Sequence, residues 1–87
     1  MTISGRQVAG ARGLLGWSQE QLALAADVTP QTINNWENGQ HIPRQSTINR
    51  VREAIEARGV EFTNGGAPGV RFKPKPGASV ESESAGK

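Results

Sequence analysis

Apolar residues recur at helical spacing through most of the chain and then switch to strict alternation, and that change of period divides it. Val8, Ala11 and Leu15 stand at i, i+3 and i+7, which predicts a first helix from about Gly5 to Leu15, capped by Ser4 and closed by Gly16. Residues 1–4 are expected to fray. Gly10 and Gly13 inside this helix each cost about 1 kcal/mol relative to alanine, so it depends on tertiary contacts. Trp17 precedes Ser18 and is placed to staple onto Leu22. Ser18 with Gln21 three residues on forms a capping-box pattern, and Leu22, Ala23 and Ala26 continue a second helix. Only Asp27 and Val28 separate it from the next element. There Thr29 is the cap, Pro30 takes the first position, where its missing N–H costs nothing, Ile33 and Trp36 share a face, and Gly39 ends the turn. Pro43 forbids continuity with a further helix from about Ser46 to Arg58, which buries Ile48, Val51 and Ile55 and pairs Arg52 with Glu56 at i, i+4.

Beyond Gly59 the sequences VEFT and VRFK alternate around NGGAPG, which predicts a β-hairpin over Val60–Lys73 with Val60, Phe62, Val70 and Phe72 on one face. A lone hairpin is marginal in water, so this face either docks on the helices or pairs with another chain. From Pro74 the chain is rich in Pro, Ser, Gly and charge and is expected to be a disordered tail. The reading is thus a helical domain over 1–59, a hairpin over 60–73 and a tail over 74–87.

With 87 residues, 34% of them hydrophobic, the chain has room for one small domain. It has no cysteine, and His41 is its one histidine, so a disulfide framework and a cysteine zinc site are excluded and no metal or cofactor is expected. No apolar run approaches the roughly 18 residues of a membrane span and no signal pattern opens the chain; a cytoplasmic protein without membrane contact is expected. Catalysis is disfavoured, because Glu20 sits in a first turn and Glu53 and Glu56 lie on a solvated face, which leaves no carboxylate pair to work with. The net charge is only +2, and residues 1–59 hold six arginines against five acidic residues. Any basic surface must come from placement.

The stretch SQEQLALAADVTPQTINNWENGQHIPR resembles the phage-repressor, or Xre, family of helix-turn-helix DNA-binding domains, and TPQTINNWENG is its most specific part. The resemblance covers about residues 5–58. It implies an all-α, lambda-repressor-like bundle of about five short helices, here followed by the hairpin. It also implies that Thr29 to Asn38 is the recognition helix, that Gln31 and Asn35 contact bases, that Thr32 and Asn34 touch bases or phosphates, and that Gln19 contacts the backbone. Arg12 and Glu37 match positions that form a partly buried ion pair in the family; the alternative for Arg12 is a DNA contact. Two departures stand out. Asp27 occupies a turn position that usually holds Gly and tends to need positive φ, and Pro30 replaces what is often a base-reading Gln or Arg.

The residues support this independently. With Ile33 and Trp36 inward, helical geometry turns Gln31, Thr32, Asn34 and Asn35 outward. Amides can bond adenine N6 and N7, and a threonine methyl can touch a thymine methyl. A merely solvated face favours Lys and Glu, whereas Thr and paired Asn are poor helix formers. Gln19 opens a helix whose N-terminus favours an anion, while Asn38, Gln40, His41 and Arg44 follow the recognition helix and are placed to contact phosphates. The expected function is a double-stranded DNA-binding regulator acting as a homodimer, whose interface Val60, Phe62, Val70 and Phe72 would supply or support. The alternative is a protein partner: an antitoxin- or antiactivator-type interaction module on the same fold.

Overall fold

The computed structural model describes residues 3–64 and 68–73. Within them the chain forms helices α1 (Gly5–Leu15), α2 (Gln19–Ala26), α3 (Pro30–Glu37) and α4 (Gln45–Glu56), then strands β1 (Val60–Thr63) and β2 (Gly69–Phe72). The expected tail over 74–87, and part of the NGGAPG turn, lie outside the described residues.

The helix ends follow from their caps. Ser4 and Ser18 each accept from the backbone N–H three residues on, while Gln7 and Gln21 reach back to the cap N–H at 2.8 Å, two complete capping boxes. Gly16, at φ 69°, closes α1 in the left-handed conformation. Asp27 does the same for α2 at φ 59°, the one non-glycine with positive φ among the described residues. The short polar side chain of Asp tolerates this region better than most, and Arg50 donates to the Asp27 carbonyl at 3.2 Å.

One core joins the four helices and β1: Val8 and Ala11 of α1, Leu22, Ala23 and Ala26 of α2, Ile33 and Trp36 of α3, Ile48, Val51 and Ile55 of α4, and Val60 and Phe62 of β1, with Val70 of β2 packed against it. Ile3 is only 1% exposed and belongs to it. Ile3 and Ser4 are therefore held and not frayed: burial of an isoleucine, at roughly 25 cal/mol per Å² of apolar surface, fixes the segment that carries the α1 cap. Trp17 packs at the edge of the core with the Arg58 guanidinium 5.3 Å from its ring centroid.

Two differences from expectation concern the end of the domain. Four helices are present among the described residues, not about five, and a two-stranded antiparallel sheet follows them. Gly59, at φ 88°, turns the chain after α4, and the alternating sequence that follows cannot offer the single stripe a fifth helix would need. The helix α4 also ends at Glu56 instead of Arg58. Val60 pairs with Phe72 and Phe62 with Val70, as the alternation requires, but the apolar face of the hairpin docks on this chain's own helices. Val60 and Phe62 are buried, so neither has surface to offer a partner subunit. Val70 is half-buried and Phe72 remains 55% exposed. No helix among the described residues is long and apolar enough to cross a membrane.

Candidate nucleic-acid interface

The helix α3 is held from inside and bare outside. Thr29 caps it by accepting from the Thr32 N–H at 3.2 Å, and Pro30 sets its first φ. Ile33 is fully buried and Trp36 nearly so, which rotates Gln31, Thr32, Asn34 and Asn35 away from the core. Gln31 is exposed, and the other three are half-buried. Gln31 donates to Asn35 Oδ1 at 2.8 Å, and Thr32 Oγ1 lies 2.9 Å from Thr29 Oγ1. The Gln31 carbonyl and the Asn35 N–H groups are left for an external partner.

Behind this face sits one ion pair. Arg12 Nε and Nη2 bond the two oxygens of Glu37 at 2.7 and 2.8 Å, the bidentate geometry of a strong pair, and Nη1 donates to the Trp17 carbonyl at 2.8 Å. Hydrogen bonding to Glu37 holds the Arg12 guanidinium above its ordinary value against the opposing effect of burial. All three guanidinium nitrogens are engaged within the protein, so Arg12 ties α1 to α3 and is not placed as a DNA contact. Gln19 is drawn into the same network: its Nε2 donates to Glu37 Oε1 at 3.0 Å, and its Oε1 accepts from Asn34 Nδ2 at 3.4 Å.

Around the C-terminal end of α3, Asn38 donates to Asn34 Oδ1 at 3.2 Å, and the backbone N–H groups of Gln40 and His41 fold back onto the Asn35 carbonyl. Buried Pro43 anchors the loop, leaving Gln40, His41 and Arg44 exposed. Sequence reasoning did not sort the arginines by availability, because their partners are tertiary. Arg12, Arg50, Arg52, Arg58 and Arg71 each have an internal partner: Glu37, the Asp27 carbonyl, Glu56, the Trp17 ring and Glu61. Arg6 and Arg44 have none among the described residues, and Arg6 lines the same open cleft as Asn38. Arg6 thus stands beside the end of α3, and Arg44 stands exposed at the start of α4, after the loop that follows α3.

Gln7, 4% exposed, has a role that the sequence did not mark. Its Nε2 donates toward the carbonyls of Thr63 and Gly69 at 3.2 and 3.1 Å, fixing the hairpin to α1. The S-x-x-Q pattern at Ser4 was a visible signal for its capping role, but not for the hairpin contact.

Gly5 lets α1 come close to α3. A Cβ there would lie 2.1 Å from the Trp36 carbonyl oxygen, so the first turn of α1 rests directly on the end of α3.

A capped helix pair joined by a tight left-handed turn, with the second helix anchored by an aromatic residue and presenting amides and a hydroxyl, defines a helix-turn-helix domain. The helix-turn-helix family model matches residues 9–60, and the chain belongs to that family. Multiprotein-bridging factor 1 of Schizosaccharomyces pombe is 37% identical to it over 71 residues, an alignment covering 77% of this chain and 47% of that protein. The chain spans about half the length of that relative.

Proposed function

We propose that this chain is a DNA-binding regulator that lays the outer face of α3 in the major groove of duplex DNA, and that it is a binding module rather than an enzyme. The observation that carries this reading is the outward set of Gln31, Thr32, Asn34 and Asn35, with Asn34 bonded to Gln19 and Asn38, Arg6 lining the cleft beside Asn38, and Arg44 exposed after the following loop. Amides and a hydroxyl read base edges, while the flanking groups suit phosphates. Pro30 shortens the reading face, so one protomer has few base contacts. A homodimer on a two-fold site, with recognition helices about 34 Å apart, supplies the rest. Exposed Phe72, beside half-buried Val70, is the part of the hairpin available to such a dimer.

A second reading is a protein-bridging module. It is favoured by the name of the Schizosaccharomyces pombe relative and by Leu24 and Ile42, which are 85% and 73% exposed. Titrating duplex DNA across a range of salt separates the two. Contacts to phosphate make log K fall with log salt by about 0.9 per phosphate neutralised. If no duplex binds at low salt, the DNA-binding reading fails and the bridging one stands.

A further inference from the structure

The amides of the reading face are chained in one direction. Glu37, its side chain 6% exposed and locked by Arg12, is an acceptor only, so Gln19 must turn its NH₂ group toward it, as the 3.0 Å bond requires. The Gln19 carbonyl then faces α3 and must be met by a donor, which Asn34 Nδ2 supplies at 3.4 Å. The Asn34 carbonyl, turned the other way, accepts from Asn38 Nδ2 at 3.2 Å. The order Arg12, Glu37, Gln19, Asn34, Asn38 leaves each of Gln19 and Asn34 with a spare N–H and an engaged carbonyl. A two-point contact to adenine needs an amide to offer its carbonyl and its N–H together. Asn34 is held out of that geometry; Asn35 stands apart from the chain, with its carbonyl engaged by Gln31 and both of its N–H groups free.

Resting on the DNA-binding reading above, we infer that Gln19 is a specificity-positioning residue: anchored by Glu37, it fixes Asn34 as a hydrogen-bond donor. The base opposite Asn34 is therefore selected for an acceptor on its major-groove edge, which guanine, thymine and the N7 of adenine provide, and against cytosine, whose edge offers only a donor. The ion pair then has a role beyond joining two helices. It sets the donor polarity of the surface that meets DNA.

The test compares wild type, Gln19→Met and Asn34→Asp on duplexes carrying each base in turn along a bound site. Gln19→Met keeps the side-chain length and leaves the Arg12–Glu37 pair in place, which Glu37 variants do not. Wild type should disfavour cytosine at one position by about tenfold. Gln19→Met should melt as wild type does yet flatten that preference, because Asn34 is released to turn its carbonyl outward. Asn34→Asp, an acceptor only, should move the preference at the same position toward cytosine. In the DNA-free protein, the Asn34 side-chain amide resonance should shift in Gln19→Met. A uniform loss of affinity with base preference unchanged would make Gln19 a backbone contact only and overturn the inference. So would an unmoved Asn34 amide resonance, which tests the chain of bonds without any DNA. Failure of wild type to bind any duplex would remove the DNA-binding reading itself, and the inference with it.

Discussion

Two glycines of α1 should respond to the same substitution with opposite sign. At Gly5 an added Cβ meets the Trp36 carbonyl oxygen at 2.1 Å, its carbon at 2.7 Å and Glu37 Cα at 3.0 Å. All are backbone atoms, so no side chain can swing away. The first contact falls more than about 1 Å short of ordinary van der Waals separation, and α1 must lift from the end of α3. Overpacking of this kind costs about 1–3 kcal/mol, against which the helix propensity gained at a terminal position is small. At Gly13 an added Cβ meets nothing within 4 Å, and the residue is exposed in the helix. There alanine should contribute about 0.5–1 kcal/mol of stability. With about 4–8 °C per kcal/mol for a domain of this size, Gly5→Ala should lower Tm by about 10 °C while Gly13→Ala raises it by a few degrees. Thermal melts followed by circular dichroism at 222 nm measure both. If Gly5→Ala melts at or above the wild-type temperature, the α1 and α3 backbones do not touch as described, and the placement of the recognition helix loses its support.

Other perturbations separate the structural roles. Arg12→Ala leaves the Glu37 carboxylate buried without its charge partner and should cost about 3–5 kcal/mol in chemical denaturation; Arg52→Ala, which breaks a solvated pair at 4.0 Å, should cost under about 0.5 kcal/mol. Gln7→Met strips a donor from the Thr63 and Gly69 carbonyls and should cost about 1–3 kcal/mol, with amide hydrogen exchange accelerating in β1 and β2 before the helices. Phe72→Ser should leave the protomer's melt nearly unchanged but raise the dimer dissociation constant in analytical ultracentrifugation; an unaltered constant would place the dimer contact elsewhere. Truncation at Gly59 cannot make that distinction, because it removes Val60 and Phe62 from the core.

The helix pair was legible because its signals are local. Capping boxes, the proline at a first turn, a two-residue connection and the Ile33–Trp36 spacing all act within a few residues. Asp27 was legible through the family resemblance: it stands at a turn position that usually holds Gly and tends to need positive φ, and Asp is among the few other residues that accept it. What stayed hidden is tertiary. Gly5 reads as a weak helix former until the α3 backbone is laid against it. Ile3 has no periodic neighbours to mark it as core. Gln7 and Gln21 carry the same capping pattern, yet only Gln7 has a hairpin strand within reach. The apolar face of the hairpin was equally suited to the protomer's own core and to a partner. Contact with α1 and α4 decides it for Val60 and Phe62. In the reading face, helical periodicity showed which side chains point outward but not how Asn38, Asn34 and Gln19 are linked in a chain that ends on Glu37.

The central claim is that the outer face of α3 reads base edges in duplex DNA, and selection of bound duplexes from a random pool tests it most directly. Wild type should enrich one short motif, present twice about one helical turn apart with two-fold symmetry. Gln31→Ala and Asn35→Ala should keep the wild-type melt but lose about 1–3 kcal/mol of discrimination at particular base pairs of that motif. A pool that stays random at low salt, or enrichment of an unaltered motif by both variants, would contradict the claim.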